Sequence, residues 1–304
     1  MNSKNNLLWR SYLPIAVLLL IIIGLVIWAF LSGTATKGEL PPLHLQNGIA
    51  LILIGLVAGM LGGIIGTGGC SVMLPVIHFW MSYPAPVAIG TTLFAVIFTA
   101  ISGGYGHLVR GNLDVKTTLW LGGAGTLGVF LGSWLFTLLV SHVALLGLIL
   151  GLAFLWPAIR MIKEGVIQTK KPQQEGNVIP GPKWGWGIFG FTVGVLTGLI
   201  GLGGGYALVP GLIYIFGAPV YITMGTSLAT MIPLAVFGGG IKLAQGFVAL
   251  GAGLLLAGGT IVGAQVGAAV IKRFKPTALK LIFGLYFFYV AIKFITAYFG
   301  IKIW

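Results

Sequence analysis

Two glycine-rich stretches of ten residues each are the part of this sequence best suited to bind a small ligand. One runs from Gly66 to Pro75 (GTGGCSVMLP), and the other runs from Gly201 to Pro210 (GLGGGYALVP), 135 residues later. Each stretch ends one apolar segment and begins another. A glycine backbone at a helix start offers unpaired N–H groups and the positive end of the helix dipole, with no Cβ to keep an anion away. The pair therefore predicts a site for a small oxyanion, and tight helix packing through small residues is the alternative interpretation.

Hydroxyl and cationic side chains recur near both stretches at the same offset. Thr91-Thr92 and Thr226-Ser227 each lie about two turns into the next apolar segment, where they could donate to an anion or bond back to their own helix. His107 and Lys242 occupy equivalent positions, and Arg110 lies one turn beyond His107. These cationic groups could draw an anion into a pathway, although Lys and Arg near helix ends more often extend to the membrane surface.

The two stretches differ at Cys70, which stands where the second stretch has Gly205. A thiol at a helix start ionises more readily and could react with sulfur compounds, whereas the simpler interpretation is a small side chain that fills a tight turn. The predicted substrate-binding residues are Gly68, Gly69, Cys70, Thr91, Thr92, Gly203, Gly204, Gly205, Thr226 and Ser227, with His107, Arg110 and Lys242 as predicted pathway charges.

The composition predicts an all-α polytopic membrane protein. Of the 304 residues, 58% are hydrophobic and 7% are charged, whereas soluble domains carry about 25% charged residues. The basic residues that give the net charge of +13 lie in short loops and flanks, where such residues set membrane topology. The four carboxylates are all predicted to lie in loops or flanks, so a proton relay through buried acids is not expected. They are Glu39, Asp114, Glu164 and Glu175.

An internal duplication organises the chain after a first apolar run. Residues 12–31 predict an N-terminal spanning helix, with a cleaved signal peptide as the alternative. Residues 59–69 and 194–204 are identical at seven of eleven positions, which indicates a repeat. The predicted domains are the helix at 1–33, a first repeat at 47–161, a linker at 162–183 and a second repeat at 184–300. The predicted elements are 47–65, 70–82, 85–105, 116–140 and 142–161, then 184–200, 205–217, 220–241, 250–271 and 277–298.

The distribution of basic residues predicts that the two repeats are inverted. Lysines place the N-terminus and the linker in the cytoplasm, so the first repeat crosses the membrane an odd number of times, by five spans or by three spans and a re-entrant hairpin. The basic cluster at 272–280 then also falls inside, and the C-terminus falls outside. Broken helices at matched positions of two inverted repeats are typical of secondary transporters.

The ordered motifs resemble those of the sulfite exporter TauE/SafE family, also called the toluene sulfonate uptake permease family. Residues 201–210 and 225–227 fit its pattern of Gly-x-Gly-Gly-Gly, a later proline and Gly-Thr-Ser, and residues 66–75 and 90–92 fit it except at Cys70. The resemblance covers about 48–298. It implies a secondary carrier of the bacterial cytoplasmic membrane for sulfite, sulfonates or related sulfur oxyanions, with the motif residues lining its site.

The sequence predicts neither an enzyme nor a cofactor. It contains no nucleotide-binding loop, no Ser/His/Asp set and no metal-ligand cluster. The expected partners are the lipid bilayer and a small anion, with no nucleic acid, and a homo-oligomer is left open. Beside an exporter that works by alternating access, two functions remain: an anion channel in which the motifs form a static filter, and a non-transporting membrane partner of sulfur-metabolism enzymes.

Overall fold

The computed structural model describes residues 15–28, 36–37, 40–166, 176, 178–270 and 276–301. All regular structure in these ranges is helical, which confirms the predicted all-α class. The helices are α1 (Ile15–Trp28), α2 (Leu45–Ile65), α3 (Cys70–Pro75, continued by a π-helical turn Val76–Trp80), α4 (Ala85–Val109), α5 (Val115–Leu139), α6 (Val143–Val166), α7 (Lys183–Ile200), α8 (Gly205–Tyr214), α9 (Val220–Ala244), α10 (Leu250–Val270) and α11 (Pro276–Tyr298).

Within the described ranges, six helices are long and apolar enough to cross a membrane, namely α2, α4, α5, α6, α9 and α10. By contrast, α8 has 10 residues, and α3 with its π-helical turn runs only from Cys70 to Trp80. At 1.5 Å per residue, each reaches about 16 Å, roughly half of a 30 Å hydrocarbon core. The chain after each glycine stretch is therefore a half-length helix, as the predicted helix breaks require.

The structure differs from the sequence prediction at the edges of the linker and at one acid. Helix α6 continues to Val166, so residues 162–166 are helical rather than part of the predicted linker. Glu164 thus lies inside α6, where it accepts a hydrogen bond from the Tyr214 hydroxyl of α8. Residues 167–175, the cluster at 271–275 and most of the segments flanking α1 lie outside the described residues.

Glycines set the packing of the outer helices. Gly59 of α2 lies against Thr260 of α10, and Gly63 lies against Ala264, so these two helices run parallel. Helices α5 and α7 also run parallel, through glycines on both partners. Two helix backbones can approach this closely only at residues without side chains. Many of the 50 glycines lie at such helix contacts.

Helices α4 and α9 form an antiparallel pair at the centre. Gly90 near the start of α4 lies against Lys242 near the end of α9, and Gly103 lies against Leu228. Most of α4 is buried. This pair therefore places the start of each helix beside the end of the other, which brings the predicted hydroxyl and cationic residues of the two halves together.

Gly263→Ala should lower the free energy of unfolding by about 1–3 kcal/mol, because its Cβ would overlap the backbone of Leu56 in α2 and overpacking costs this much. Gly258 on the same helix has no heavy atom within 4 Å of a built Cβ. Gly258→Ala should therefore be neutral or stabilise by up to about 1 kcal/mol through helix propensity. Thermal unfolding in detergent compares the two, and equal effects would contradict this packing.

Candidate functional site

Each glycine stretch forms a tight break between two helices. The first ends α2 and begins α3, and the second ends α7 and begins α8. Three glycines in each break have a left-handed backbone, which side-chain-bearing residues adopt only with strain. Their φ angles are 82°, 70° and 75° at Gly66, Gly68 and Gly69, and 67°, 69° and 83° at Gly201, Gly203 and Gly204.

The two breaks lie directly against each other in the interior. The thiol of Cys70 donates to the carbonyl oxygen of Gly201 at 2.9 Å. A Cβ on Gly205 would lie 2.5 Å from the Cα of Thr67. The sequence-predicted residues at the starts of α3 and α8 therefore meet at the contact between the two halves of the chain.

Two apolar side chains fill the space between the breaks. A Cβ on Gly68 or on Gly203 would lie 2.5 Å or 2.6 Å from the same methyl carbon, Cε of Met231. Both glycines also face Val96, with built Cβ positions 3.4 Å and 3.2 Å from its Cγ1. Val96 and Met231 are themselves 135 residues apart. Sequence reasoning missed both residues, because a valine and a methionine inside apolar helices carry no signal of a site.

Two connections close over the central helices. The first closing loop, residues 110–114, joins α4 to α5, and the second closing loop, residues 245–249, joins α9 to α10. The backbone N–H of Asp114 donates to Oγ1 of Thr226 at 3.0 Å. At the matched position, the N–H of Ala249 donates to Oγ1 of Thr91 at 2.9 Å. Each predicted threonine therefore holds the loop that covers its helix.

Glycine allows each closing loop to approach its helix closely. A Cβ on Gly225 of α9 would overlap the carbonyl oxygen of Asn112 in the first closing loop. A Cβ on Gly90 of α4 would overlap the carbonyl oxygen of Phe247 in the second closing loop. The Gly-Thr pairs singled out by the sequence thus form two matched contacts, one between each loop and the opposite half of the chain.

A further segment of chain lies over each closing loop. Ahead of α2, the N–H of Lys37 donates to the carbonyl oxygen of Gly246 at 2.9 Å, and Oγ1 of Thr36 donates to Val248 at 3.3 Å. Ahead of α7, the N–H of Ile179 donates to Oδ2 of Asp114 at 2.9 Å. Both closing loops are therefore held against the central helices by a further segment of chain.

The other two predicted hydroxyl groups are used internally. The Ser227 hydroxyl donates to the carbonyl oxygen of Gly66 at 2.8 Å, across the contact between the two halves. The Thr92 hydroxyl donates to Ala88 of its own helix at 2.7 Å, as the alternative interpretation of these residues described. All four hydroxyl-bearing residues are fully buried.

The three predicted pathway charges differ in their surroundings. His107 is fully buried, and its Nε2 lies 3.1 Å from the carbonyl oxygen of Gly63. Arg110 is exposed and donates to Gly106 through Nη1. Lys242 is fully buried, with Nζ 3.2 Å from the centre of the Phe136 ring. The structure therefore keeps His107 and Lys242 inside the protein and places Arg110 at its surface.

Cations from the outer helices contact the ends of the half-length helices. The Arg160 guanidinium of α6 lies 3.8 Å from the ring centre of Tyr214, the last residue of α8. Lys293 of α11 lies 4.7 Å from the ring centre of Phe79, near the end of α3 and its π-helical turn. Each half-length helix is thus held at its glycine start by the opposite half and at its far end by a cation.

Cys70→Ala should destabilise the protein by about 1–3 kcal/mol, because the buried carbonyl oxygen of Gly201 would lose its donor. Cys70→Ser keeps a donor of similar size and should cost less. Thermal unfolding of both variants provides the measurement. If Cys70→Ala and Cys70→Ser unfold together, the thiol does no more than fill space.

Comparison with known proteins gives a family and several named relatives. The family model described as Sulfite exporter TauE/SafE matches residues 51–294. The probable membrane transporter protein YdhB of Bacillus subtilis (strain 168) is 29% identical over 230 residues, which are 76% of this chain and 93% of that protein. The probable membrane transporter protein MJ0441 of Methanocaldococcus jannaschii is 26% identical over 246 residues, which are 76% of this chain and 89% of that protein. No solved structure gives a significant match.

The long apolar helices, the paired breaks and these similarities define a multi-pass membrane protein of a transporter class. The chain belongs to the sulfite exporter TauE/SafE family, because the family model covers most of its length. The relatives are named as membrane transporters rather than enzymes. Within the residues that the structure describes, no group of three His, Cys, Asp or Glu side chains could hold a metal ion.

Proposed function

We propose that this protein is a secondary carrier that exports small sulfur-containing oxyanions, such as sulfite or organosulfonates, across the bacterial cytoplasmic membrane by alternating access. The observation that carries the proposal is the pair of buried glycine breaks lying between two matched closing loops. A carrier needs a site that can be closed from either side, and this arrangement offers one closure for each side. The choice of sulfur comes from the family description.

The packing directions support two inverted repeats. The equivalent helices α4 and α9 run antiparallel, and α6 and α11 do so as well, with Gly151 against Ile295 and Gly165 against Leu281. With a cytoplasmic N-terminus and an external C-terminus, the first closing loop faces the cytoplasm and the second faces outside. Helix breaks at the repeat interface would then lie near mid-membrane, where such carriers bind substrate.

Transport in this scheme proceeds by opening one loop while the other stays closed. Release of Asp114 from Thr226 would expose the breaks to the cytoplasm, and release of Ala249 from Thr91 would expose them to the outside. The anion would take the space between the breaks when the Met231 side chain moves aside, which its flexible thioether permits. In this scheme, the structure would correspond to a closed state between these two openings.

The membrane potential can drive export without a coupling ion. A potential that is negative inside favours anion exit by about 2.3 kcal/mol per charge per 100 mV. Asp114 and Glu164 are both engaged in hydrogen bonds near helix ends, so neither offers a buried proton relay. Sulfite efflux from proteoliposomes should therefore follow an imposed potential at equal pH on both sides. Efflux that also required a proton gradient would contradict uncoupled export.

Competition and current measurements decide between the carrier and its alternatives. Labelled sulfite is exchanged across proteoliposomes, with sulfate, thiosulfate and methanesulfonate as competitors. Saturable exchange is expected from a carrier, and unitary currents are expected from a channel. A protein that is folded, moves no sulfur anion and copurifies with a sulfur-metabolism enzyme would instead be a non-transporting membrane partner.

A further inference from the structure

We propose that the Lys242 side chain is the charged contact for the transported anion and that it makes the site selective for anions with one negative charge. The inference rests on the proposed function, since it names the charge class of the same substrate. Its starting point is a lysine that has no counter-ion among the residues that the structure describes.

Lys242 is buried without a polar partner. Its side chain is 0% exposed, and Nζ makes no hydrogen bond. Buried charges in proteins are normally paired, because an isolated one is strongly unfavourable. The Phe136 ring face, 3.2 Å from Nζ, attracts a cation but supplies no negative charge. An anionic ligand would provide the partner that the described part of the chain does not.

The carboxylates in the described part of the chain are already engaged elsewhere. Asp114 accepts from Thr117 and from the N–H of Ile179. Glu164 accepts from Tyr214 and lies 3.5 Å from Nε of Arg160. Neither carboxylate contacts Lys242, so the counter-ion of this lysine has to come from outside the described chain.

The lysine lies beside the second glycine break. Its Cβ is 3.2 Å from a Cβ built on Gly90, and the residue before Gly90 packs directly on Gly201. Phe136 belongs to one buried apolar cluster with Leu202 and Tyr206. The Tyr206 hydroxyl, at the start of α8, is also buried without a hydrogen-bond partner. Lys242 is thus linked to the second break through Gly90 and the residue before it, and Tyr206 adds a second buried donor without a partner at the start of α8.

The equivalent position in the other half does not add a second unpaired cation. His107 stands there, and its Nε2 already contacts the carbonyl oxygen of Gly63. One ammonium neutralises a monoanion, whereas a dianion would keep one uncompensated charge in the buried interior. A monoanion should consequently bind at least about tenfold more tightly than a dianion of similar size.

Binding to the purified full-length protein tests this inference directly. Thermal unfolding is followed in detergent while methanesulfonate is added, and sulfate and methanedisulfonate serve as dianions at matched ionic strength. The wild type, Lys242→Met, Lys242→Gln and Lys242→Arg are compared, with Lys116→Met as a control for an exposed lysine. Methanesulfonate should raise the melting temperature of the wild type saturably, with at least tenfold weaker effects of both dianions.

Lys242→Met should lose this stabilisation and yet unfold at a higher temperature than the wild type without anion, because a buried polar group without a partner is replaced by an apolar side chain. Lys242→Arg should keep part of the stabilisation, and Lys116→Met should behave as wild type. Unchanged stabilisation in Lys242→Met, no stabilisation of the wild type by any monoanion, or equal affinity for dianions would each overturn the inference. Failure of both Lys242→Met and Lys242→Gln to fold would also overturn it, since it predicts added stability.

These outcomes separate the site from the transport function. Methanesulfonate binding that depends on Lys242, without flux of any sulfur anion, would leave the site in place and refute the proposed carrier. Saturable sulfite flux in Lys242→Met at the wild-type rate would leave the carrier in place and refute the role of the lysine.

Discussion

Gly225→Ala should hold the protein open at the first closing loop and reduce sulfite flux about 5- to 150-fold. The new Cβ would overlap the carbonyl oxygen of Asn112 and lie 2.8 Å from the Cβ of His107. Overpacking of this kind costs about 1–3 kcal/mol, and a bias of that size shifts a two-state equilibrium by this factor. The loop would return less often to its hydrogen bond with Thr226, so one half of the transport cycle would become slower by this factor.

Thiol labelling from each side of the membrane measures which face has opened. Val96→Cys, introduced into Cys70→Ser protein, places a reporter thiol between the two glycine breaks. With Gly225→Ala, a membrane-impermeant reagent should reach this thiol from the side of the first closing loop. With Gly90→Ala, which would overlap Phe247, the reagent should reach it from the opposite side. Labelling of both variants from one side would contradict matched closures.

Gly203→Ala should reduce sulfite flux at least about tenfold, and Met231→Ala should restore part of that loss. The left-handed backbone at Gly203 has a φ of 69°, which costs a side-chain-bearing residue about 1–2 kcal/mol. The added Cβ would also lie 2.6 Å from Cε of Met231. Shortening Met231 removes the steric overlap with the new Cβ, but the cost of the left-handed backbone at residue 203 remains.

A double-mutant cycle measures this coupling through flux and thermal stability. Gly300→Ala is the matched control, because Gly300 has a φ of 75° and no heavy atom within 4 Å of a built Cβ. Gly300→Ala introduces the same backbone strain away from the site, so its flux should match that of the wild type. Additive effects of Gly203→Ala and Met231→Ala would show that the methionine does not occupy the space between the breaks, since contacting residues normally couple.

The helices and their breaks could be predicted from the sequence because their signals are local. Apolar runs marked the long helices, and the paired stretches ending at Pro75 and Pro210 marked the two half-length helices. The last turns of α6 were missed, because Lys163 and Glu164 make that segment look like part of a polar linker. Helix ends that carry charge are poorly defined by hydropathy alone.

The partners of the site residues could not be predicted from the sequence. Thr91 and Thr226 were expected near the anion, and in the structure they accept N–H groups from the two closing loops. Each of these hydrogen bonds joins a threonine to a backbone N–H group far away in the chain. Because backbone groups are the same in almost every residue, the sequence does not show which of them a side chain will contact. The hydrogen bond from the Cys70 thiol to the carbonyl oxygen of Gly201 could not be predicted for the same reason.

Exchange of labelled sulfite across proteoliposomes, with Gly204→Leu beside the wild type, tests the central claim most directly. A side chain on Gly204 would meet Cγ1 of Val193 at 2.7 Å on a backbone with a φ of 83°, so it should close the break to an anion. The account predicts saturable exchange in the wild type and its loss in folded Gly204→Leu protein. Exchange at the wild-type rate in that variant would show that the glycine break only packs helices and that the anion crosses elsewhere.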